Sequence, residues 1–126
     1  LPALALALIE PLPALFPAQA RRAIEEGRAL QREVEDLLGE RGVLLYPSYP
    51  AVAPRHGRPL LWPFAWTYTA ILNVLELPAT QVPLGLSPAG LPLGVQVAAA
   101  RGNDHLCVAA ALHLERAFGG WVPPPR

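Results

Sequence analysis

The side chains that could carry out hydrolysis in this sequence are two serines, three histidines and two aspartates. They are Ser48, Ser87, His56, His105, His113, Asp36 and Asp104. A Ser-His-Asp hydrolase could draw on this set, but neither serine lies in a Gly-x-Ser-x-Gly nucleophile elbow. Ser87 lies in a turn beside a proline, where we expect its hydroxyl to bond to the local backbone. We therefore predict no catalytic serine in this chain.

Metal-binding and phosphate-binding patterns are also missing. His105 and His113 are eight positions apart, and no cysteine or acidic residue completes a ligand set around them. Gly85, Gly90 and Gly94 do not form a phosphate-binding loop of the P-loop type, because no lysine and no helix follow directly. We predict no metal site and no cofactor.

Cys107 is the single cysteine, which excludes a disulfide framework and a zinc knuckle. It lies near a predicted helix start, where the helix dipole could lower the pKa of a thiol. A small apolar residue of the core is the commoner role for such a cysteine. A lone cysteine is also compatible with a reducing compartment.

The composition limits the class of protein. Ten basic and ten acidic residues balance, so neither nucleic acid nor an anionic membrane surface is predicted as a partner. All ten basic residues are arginines, because the chain contains no lysine. The 126 residues allow one domain at most, and an apolar content of 52% is high for a solitary domain of this size. The excess indicates that a neighbouring part of the protein covers some of the apolar surface.

The chain begins at Leu1 and contains no methionine, so we expect it to be a fragment. Its first nine residues are largely apolar, and Pro11 and Pro13 follow. A membrane-spanning helix needs about twenty apolar residues, and a signal peptide has a basic start and a small-residue cleavage site. We therefore expect a buried helical turn or helix end here.

The clearest predicted helix runs from Pro17 to Leu38 and ends at Gly39. Its charged residues fill one face, and its apolar residues recur at helical spacing, which predicts a core-facing stripe. That stripe is Ala20, Ala23, Ile24, Leu30, Val34, Leu37 and Leu38.

Six further segments follow. We predict a strand at residues 43–46, an ordered proline-rich loop at 48–63, a helix at 67–75, and strands at 79–84 and 93–99. A loop of this length often forms a lid or a pocket wall, and Pro83 is expected to weaken or terminate the strand at 79–84. Asn103 or Asp104 should cap a last helix, which ends before Gly119. The predicted apolar stripe of that helix is Leu106, Ala109, Ala110, Leu112, His113 and Ala117. The strand at 43–46 is apolar at every position, which predicts cover on both faces, as in a parallel sheet between helix layers.

The segment from Asn73 to Val97 resembles the C-terminal end of the amidase signature family. The similarity lies in NVLELPATQVPLG at 73–85, in GLPLGVQV at 90–97 and in Asn103-Asp104 opening a helix. Residues 46–48, 53–56, 63–64 and 118–122 also resemble that family, so the similarity spans essentially the whole chain. It implies that residues 1–126 are the C-terminal portion of a single amidase domain.

The resemblance also implies a fold and a reaction. The fold class is α/β, with this chain forming the C-terminal part of an α/β/α amidase-signature fold whose mixed sheet is covered by helices on both faces. The reaction is hydrolysis of an amide bond by a serine nucleophile, a bridging cis-serine and a lysine base. No position here matches that motif, and the base is absent because the chain has no lysine.

Among amidases, the fatty-acid amide hydrolases have a segment like residues 64–74 beside an acyl channel. The resemblance therefore implies substrate-binding roles for six side chains, although residues at helical spacing are more often plain core. They are Phe64, Trp66, Thr67, Ala70, Ile71 and Val74. Asn73 and Gln96 are expected to be buried structural amides that bond to the backbone.

Three hypotheses remain open at this point. The chain could be part of an amidase that hydrolyses lipid amides, a truncated inactive relative with a structural or interaction role, or an independent enzyme that uses its histidines. The first implies a lipid amide substrate, an intracellular location, and either attachment to a membrane through a segment outside this chain or a homodimer. The third predicts turnover by the chain alone, lost in His56→Ala or His105→Ala. For the isolated chain, the first two predict aggregation or molten-globule behaviour, because several apolar faces would lack partners.

Overall fold

The structure is a computed structural model that describes residues 15–57, 65 and 67–123. Its helices and strands follow the predicted order closely. They are α1 (Pro17–Leu38), β1 (Val43–Tyr46), α2 (Thr67–Val74), β2 (Ala79–Leu86), β3 (Pro92–Ala99) and α3 (Asp104–Phe118). α1 ends where predicted, because Gly39 adopts φ 56° and donates its N–H to Glu35 O at 2.8 Å.

The three described strands form one antiparallel sheet in the order β1-β3-β2. β2 runs two residues beyond the predicted end at Leu84, even though Pro83 was expected to weaken or terminate it. Pro83 pairs with Gly94, and the register is irregular between Pro83 and Leu86. A proline is tolerated here because, among the described strands, β2 lies at an edge of the sheet. The parallel pairs of a mixed sheet do not occur among these three strands.

Helices cover both faces of this sheet. On one face, Ala98 packs with Leu72, Leu75 and Leu77, and Val34 of α1 joins that cluster. On the other face, the second cluster combines residues of β2, β3 and α3. Its buried members are Val82, Val97 and Ala111. Because successive side chains of a strand point to opposite faces, β3 contributes to both clusters.

The prediction that β1 is covered on both faces is wrong for the described part of the chain. Val43 and Leu45 are 39% and 53% exposed, whereas Leu44 and Tyr46 are half-buried. The strand pairs antiparallel with β3 only, and α3 lies mainly over β2 and β3. One apolar face of β1 therefore remains open.

The predicted stripes of α1 and α3 also need correction. The stripe predicted for α1 is exposed at Ile24, Leu30 and Leu37. The buried residue of this helix is instead Gln31. In α3, the covered positions include Cys107 and Ala111, with Leu106, Ala110 and Leu114 half-buried. The predicted stripe residues that are exposed are Ala109, Leu112, His113 and Ala117. Both helices carry apolar residues on more than one side, so periodicity alone did not identify the covered side.

Candidate functional site

Four of the six predicted substrate-binding residues lie on α2. Thr67, Ala70, Ile71 and Val74 are spaced i, i+3, i+4 and i+7, which places them along one side of the helix. Thr67 and Val74 are exposed, Val74 by 61%, and Ala70 and Ile71 are half-buried. We call this set the α2 stripe. Phe64 and Trp66 lie outside the described residues.

A buried stripe next to the α2 stripe holds α2 on the sheet. Leu72 and Leu75 are each 4% exposed. The ring of Tyr68 lies 5.9 Å from that of Tyr46, measured between centroids and at an interplanar angle of 34°. Ile71 also packs against the Leu72 and Leu75 cluster, so it lies at the border between the core and the α2 stripe. The helix is thus fixed along one side, and a second, partly apolar side is left open.

Val74 lines a groove of about 650 Å³ between α1, the end of α2 and the segment that follows β3. Gly27 of α1 lies beside this groove, and a Cβ added there would lie 3.7 Å from Val74 Cγ1, which is an ordinary van der Waals distance. Gln31, Glu76 and Arg101 form the polar side of this groove. Val74 therefore lies where an apolar wall meets a polar group of side chains.

Those polar side chains form a connected network, which we call the α2-end network. Gln31 Nε2 donates to Leu75 O at 2.7 Å, and Arg101 Nη1 donates to Glu76 Oε2 at 3.1 Å. Arg101 Nε also donates to Glu35 Oε1 at 2.7 Å. The hydrogen bond and charge of Glu35 raise the pKa of Arg101, so its guanidinium stays protonated. Sequence reasoning missed the network, since residues 31, 76 and 101 are far apart in the chain.

A second groove, of about 710 Å³, lies between the loop that begins at Ser48 and the β2-β3 pair. The first part of the loop predicted at 48–63 thus lines a groove, and the part at 58–63 lies outside the described residues. The Ser48 hydroxyl donates to Gln81 Oε1, and the side chain of Gln81 lies against Gly94. A side chain at position 94 would displace it, so glycine permits this close approach.

The two amides predicted to be structural differ from expectation. Asn73 is exposed, and its Nδ2 donates to Thr69 O at 3.5 Å within the same helix. Gln96 lies between Tyr46 and Gln81 on neighbouring strands. Its Oε1 is buried without a hydrogen-bond partner among the described residues. Tyr49 Oη is also buried without a hydrogen-bond partner among the described residues.

The remaining candidates for chemistry are dispersed. Ser87 lies in the β2-β3 turn and accepts a bond from Leu91 N–H at 3.1 Å, as predicted. His56, His105 and His113 are exposed, although His113 was placed in the predicted apolar stripe of the last helix. No group of three metal-ligating side chains occurs in the part of the chain that the structure describes. No helix among those residues is long and apolar enough to cross a membrane.

Cys107 is a core residue, as predicted, with 1% exposure and its Sγ 3.3 Å from Pro78 O. Burial raises the pKa of its thiol, and the nearby charge of Asp104 acts in the same direction. The neutral thiol is therefore favoured, which is the opposite of an activated nucleophile. Asn103 takes the N-cap position of α3, but its Nδ2 donates to Glu40 O at 3.4 Å and its side chain makes no capping bond.

Comparison with known proteins gives consistent matches along this chain. The family model described as Amidase matches residues 14–108. Fatty-acid amide hydrolase 2-B of Danio rerio is 61% identical over 101 residues, which cover 80% of this chain and 19% of that protein. Fatty-acid amide hydrolase 2 of Homo sapiens is 54% identical over 106 residues, covering 84% of this chain and 20% of that protein.

A solved structure matches as well. It is a glutamyl-tRNA(Gln) amidotransferase subunit from Thermotoga maritima, which superimposes with a TM-score of 0.77 at 25% sequence identity. The match covers 97% of this chain and 28% of that one. The α/β fold implied by the resemblance is thereby confirmed. The chain spans about a fifth of the length of the curated relatives it matches.

Proposed function

Because this chain belongs to the amidase family, we propose that the protein containing it hydrolyses fatty-acid amides to a fatty acid and an amine. The observation that carries this proposal is the 50–61% identity to three fatty-acid amide hydrolase 2 sequences. Within that protein, the chain supplies part of the sheet, the helices that cover it, and one wall of the acyl pocket.

The α2 stripe is the proposed wall. It is partly apolar and lies beside a stripe that is already buried, so its orientation is fixed. Thr67 and Val74 stay exposed, and Ala70 and Ile71 are half-buried. An acyl chain placed against it gains about 0.8 kcal/mol for each methylene removed from water. A wall of this kind distinguishes long from short acyl chains.

The nucleophile and the proton acceptor belong, in this proposal, to parts of the protein outside these residues. The chain has no lysine, Ser48 donates to Gln81, Ser87 accepts a bond within its own turn, and the single thiol is buried. A serine hydroxyl needs a neighbouring base to become a nucleophile at neutral pH. None of these side chains has that arrangement among the described residues.

The open apolar surfaces support the same proposal. Val43 and Leu45 on β1, and Ile24 and Leu37 on α1, are exposed here. Apolar surface of this kind marks a contact with another part of a protein. The relatives are about five times longer, and we propose that the corresponding part of the complete fold covers these faces.

The test is a hybrid amidase, in which this chain replaces the matching segment of the Danio rerio fatty-acid amide hydrolase 2-B. We expect a folded hybrid to hydrolyse oleamide, measured as release of oleic acid, because the chain provides a compatible wall and scaffold. The unmodified Danio rerio protein is the positive control. A hybrid that unfolds cooperatively but releases no oleic acid would overturn the proposal. It would favour the alternative of an inactive truncated relative with a structural or interaction role, which the absence of lysine also supports.

Ser87→Ala in the hybrid tests where the nucleophile lies. The turn loses the bond from Leu91 N–H, so we expect the free energy of unfolding to fall by about 1 kcal/mol. The kcat/KM for oleamide should stay within about twofold, because Ser87 is not the nucleophile in our proposal. Removal of a nucleophile typically lowers kcat/KM by several orders of magnitude. Thermal unfolding measures the change in stability, and initial rates measure the change in kcat/KM. A loss of about a thousandfold in kcat/KM would identify Ser87 as the nucleophile, contrary to our proposal.

A further inference from the structure

The end of α2 has the geometry of a Schellman motif with an unusual residue in its left-handed position. Leu77 N–H donates to Leu72 O at 3.1 Å, and Glu76 N–H donates to Asn73 O at 3.1 Å. Leu72 and Leu77 are both in the same buried cluster, which supplies the hydrophobic contact of that motif. The left-handed position is usually glycine, but Glu76 occupies it with φ 53°.

A non-glycine residue in the left-handed conformation raises the free energy of the folded state by about 1 kcal/mol, so neighbouring contacts must offset that cost. Three other side chains surround the position. Gln31 Nε2 donates to Leu75 O at 2.7 Å and lies 3.5 Å from Glu76 Oε2. Arg101 donates to the same Glu76 oxygen at 3.1 Å, and Glu35 holds Arg101 from the other side at 2.7 Å.

The contacts come from separate parts of the fold. Gln31 and Glu35 belong to α1, and Arg101 lies in the segment between β3 and α3. They meet at the residues directly after Val74, the last residue of α2. Gln31 is 9% exposed and satisfies a carbonyl at the helix end that has no intrahelical partner. These contacts connect the end of α2 to α1 and to the segment before α3.

We propose that Arg101 and Gln31 are positioning residues for acyl-chain selectivity, acting through Glu76 on the α2 stripe. This inference rests on the proposed function, because the α2 stripe matters for selectivity only if it lines an acyl pocket. Neither residue touches the reacting atoms in this proposal. Arg101 holds the Glu76 carboxylate, Glu76 keeps the left-handed turn, and the turn fixes Val74 in the groove wall.

The test uses the hybrid amidase with Arg101→Gln, alone and combined with Glu76→Gly. We expect Arg101→Gln to raise amide hydrogen exchange in residues 70–74 about fivefold, the effect of losing a partly exposed ion pair. The ratio of kcat/KM for oleamide to that for butyramide should change by a similar factor. In the Glu76→Gly background, Arg101→Gln should change neither reading, because glycine takes the left-handed conformation without support.

Arg22→Gln is the matched control. It removes an exposed ion pair on α1 that lies away from the turn, in which Arg22 Nε is 2.8 Å from Glu26 Oε1. It should leave both readings unchanged. Gln31→Leu should act like Arg101→Gln, because it removes the bond to Leu75 O.

Two results would overturn the inference. One is an active hybrid in which Arg101→Gln leaves the selectivity ratio unchanged. The other is an equal effect of Arg101→Gln with and without Glu76→Gly, which would indicate a general loss of stability. If the hybrid folds but is inactive, the proposed function and the selectivity role both fail. Hydrogen exchange then decides only whether Arg101 positions α2.

Discussion

Val74→Trp in the hybrid amidase should lower kcat/KM for oleamide by about one to two orders of magnitude and leave kcat/KM for butyramide nearly unchanged. Val74 is 61% exposed on the α2 stripe, which is the proposed acyl wall, so an indole there should occupy space next to that wall that a long acyl chain needs. Overfilling an apolar site costs about 1–3 kcal/mol, and each 1.4 kcal/mol corresponds to a factor of ten. The measurement is initial rates for amides of increasing acyl length.

The matched control is Val108→Trp, which places the same side chain on α3. Val108 is 51% exposed and lies on the opposite face of the sheet from α2. Its rates should match those of the parent hybrid for every acyl length. Equal losses for short and long amides in Val74→Trp would indicate general damage and would contradict the role of the α2 stripe as an acyl wall.

Val97→Asp should strongly destabilise the folded state of the hybrid amidase. Val97 has no exposed surface and lies in the centre of the three described strands, packed with Val82 and Ala111. An unpaired carboxylate there has no cationic partner in that cluster, and the cost exceeds about 4 kcal/mol. Because native proteins are stable by about 5–15 kcal/mol, a loss of this size removes most of the margin.

Soluble yield and the midpoint of thermal unfolding measure that loss. Val108→Asp is the control, since the same substitution at an exposed helix position should cost less than about 1 kcal/mol. A Val97→Asp hybrid that unfolds at the same temperature as the Val108→Asp hybrid would mean that the β3 core differs from the one described here.

The sequence was sufficient to predict the elements, because their ends carry local signals. Pro17 and Gly39 bracket α1, and Ser87 and Gly90 mark the turn between β2 and β3. The covered side of a helix was harder to predict. Gln31 is buried because it satisfies a carbonyl 44 positions away, and no local pattern carries that information.

The candidate site was predictable to a similar degree. The spacing of Thr67, Ala70 and Val74 places them on one side of α2, and the structure agrees with that placement. Their role as an acyl wall stays a prediction. The left-handed turn at Glu76 was not foreseen, since glycine is the usual signal for it and the supporting Arg101 comes from a distant segment. The uncovered face of β1 was not predicted, because an apolar run indicates burial but does not show which element provides it.

The most direct measurement compares oleic acid release from oleamide by the 126-residue chain alone and by the hybrid amidase at equal concentration. We expect no release above buffer from the chain, and release by the hybrid within about tenfold of the unmodified Danio rerio protein. Hydrolysis by the purified chain, lost on Ser87→Ala or His105→Ala, would contradict our central claim that these residues provide a wall and scaffold without the catalytic groups.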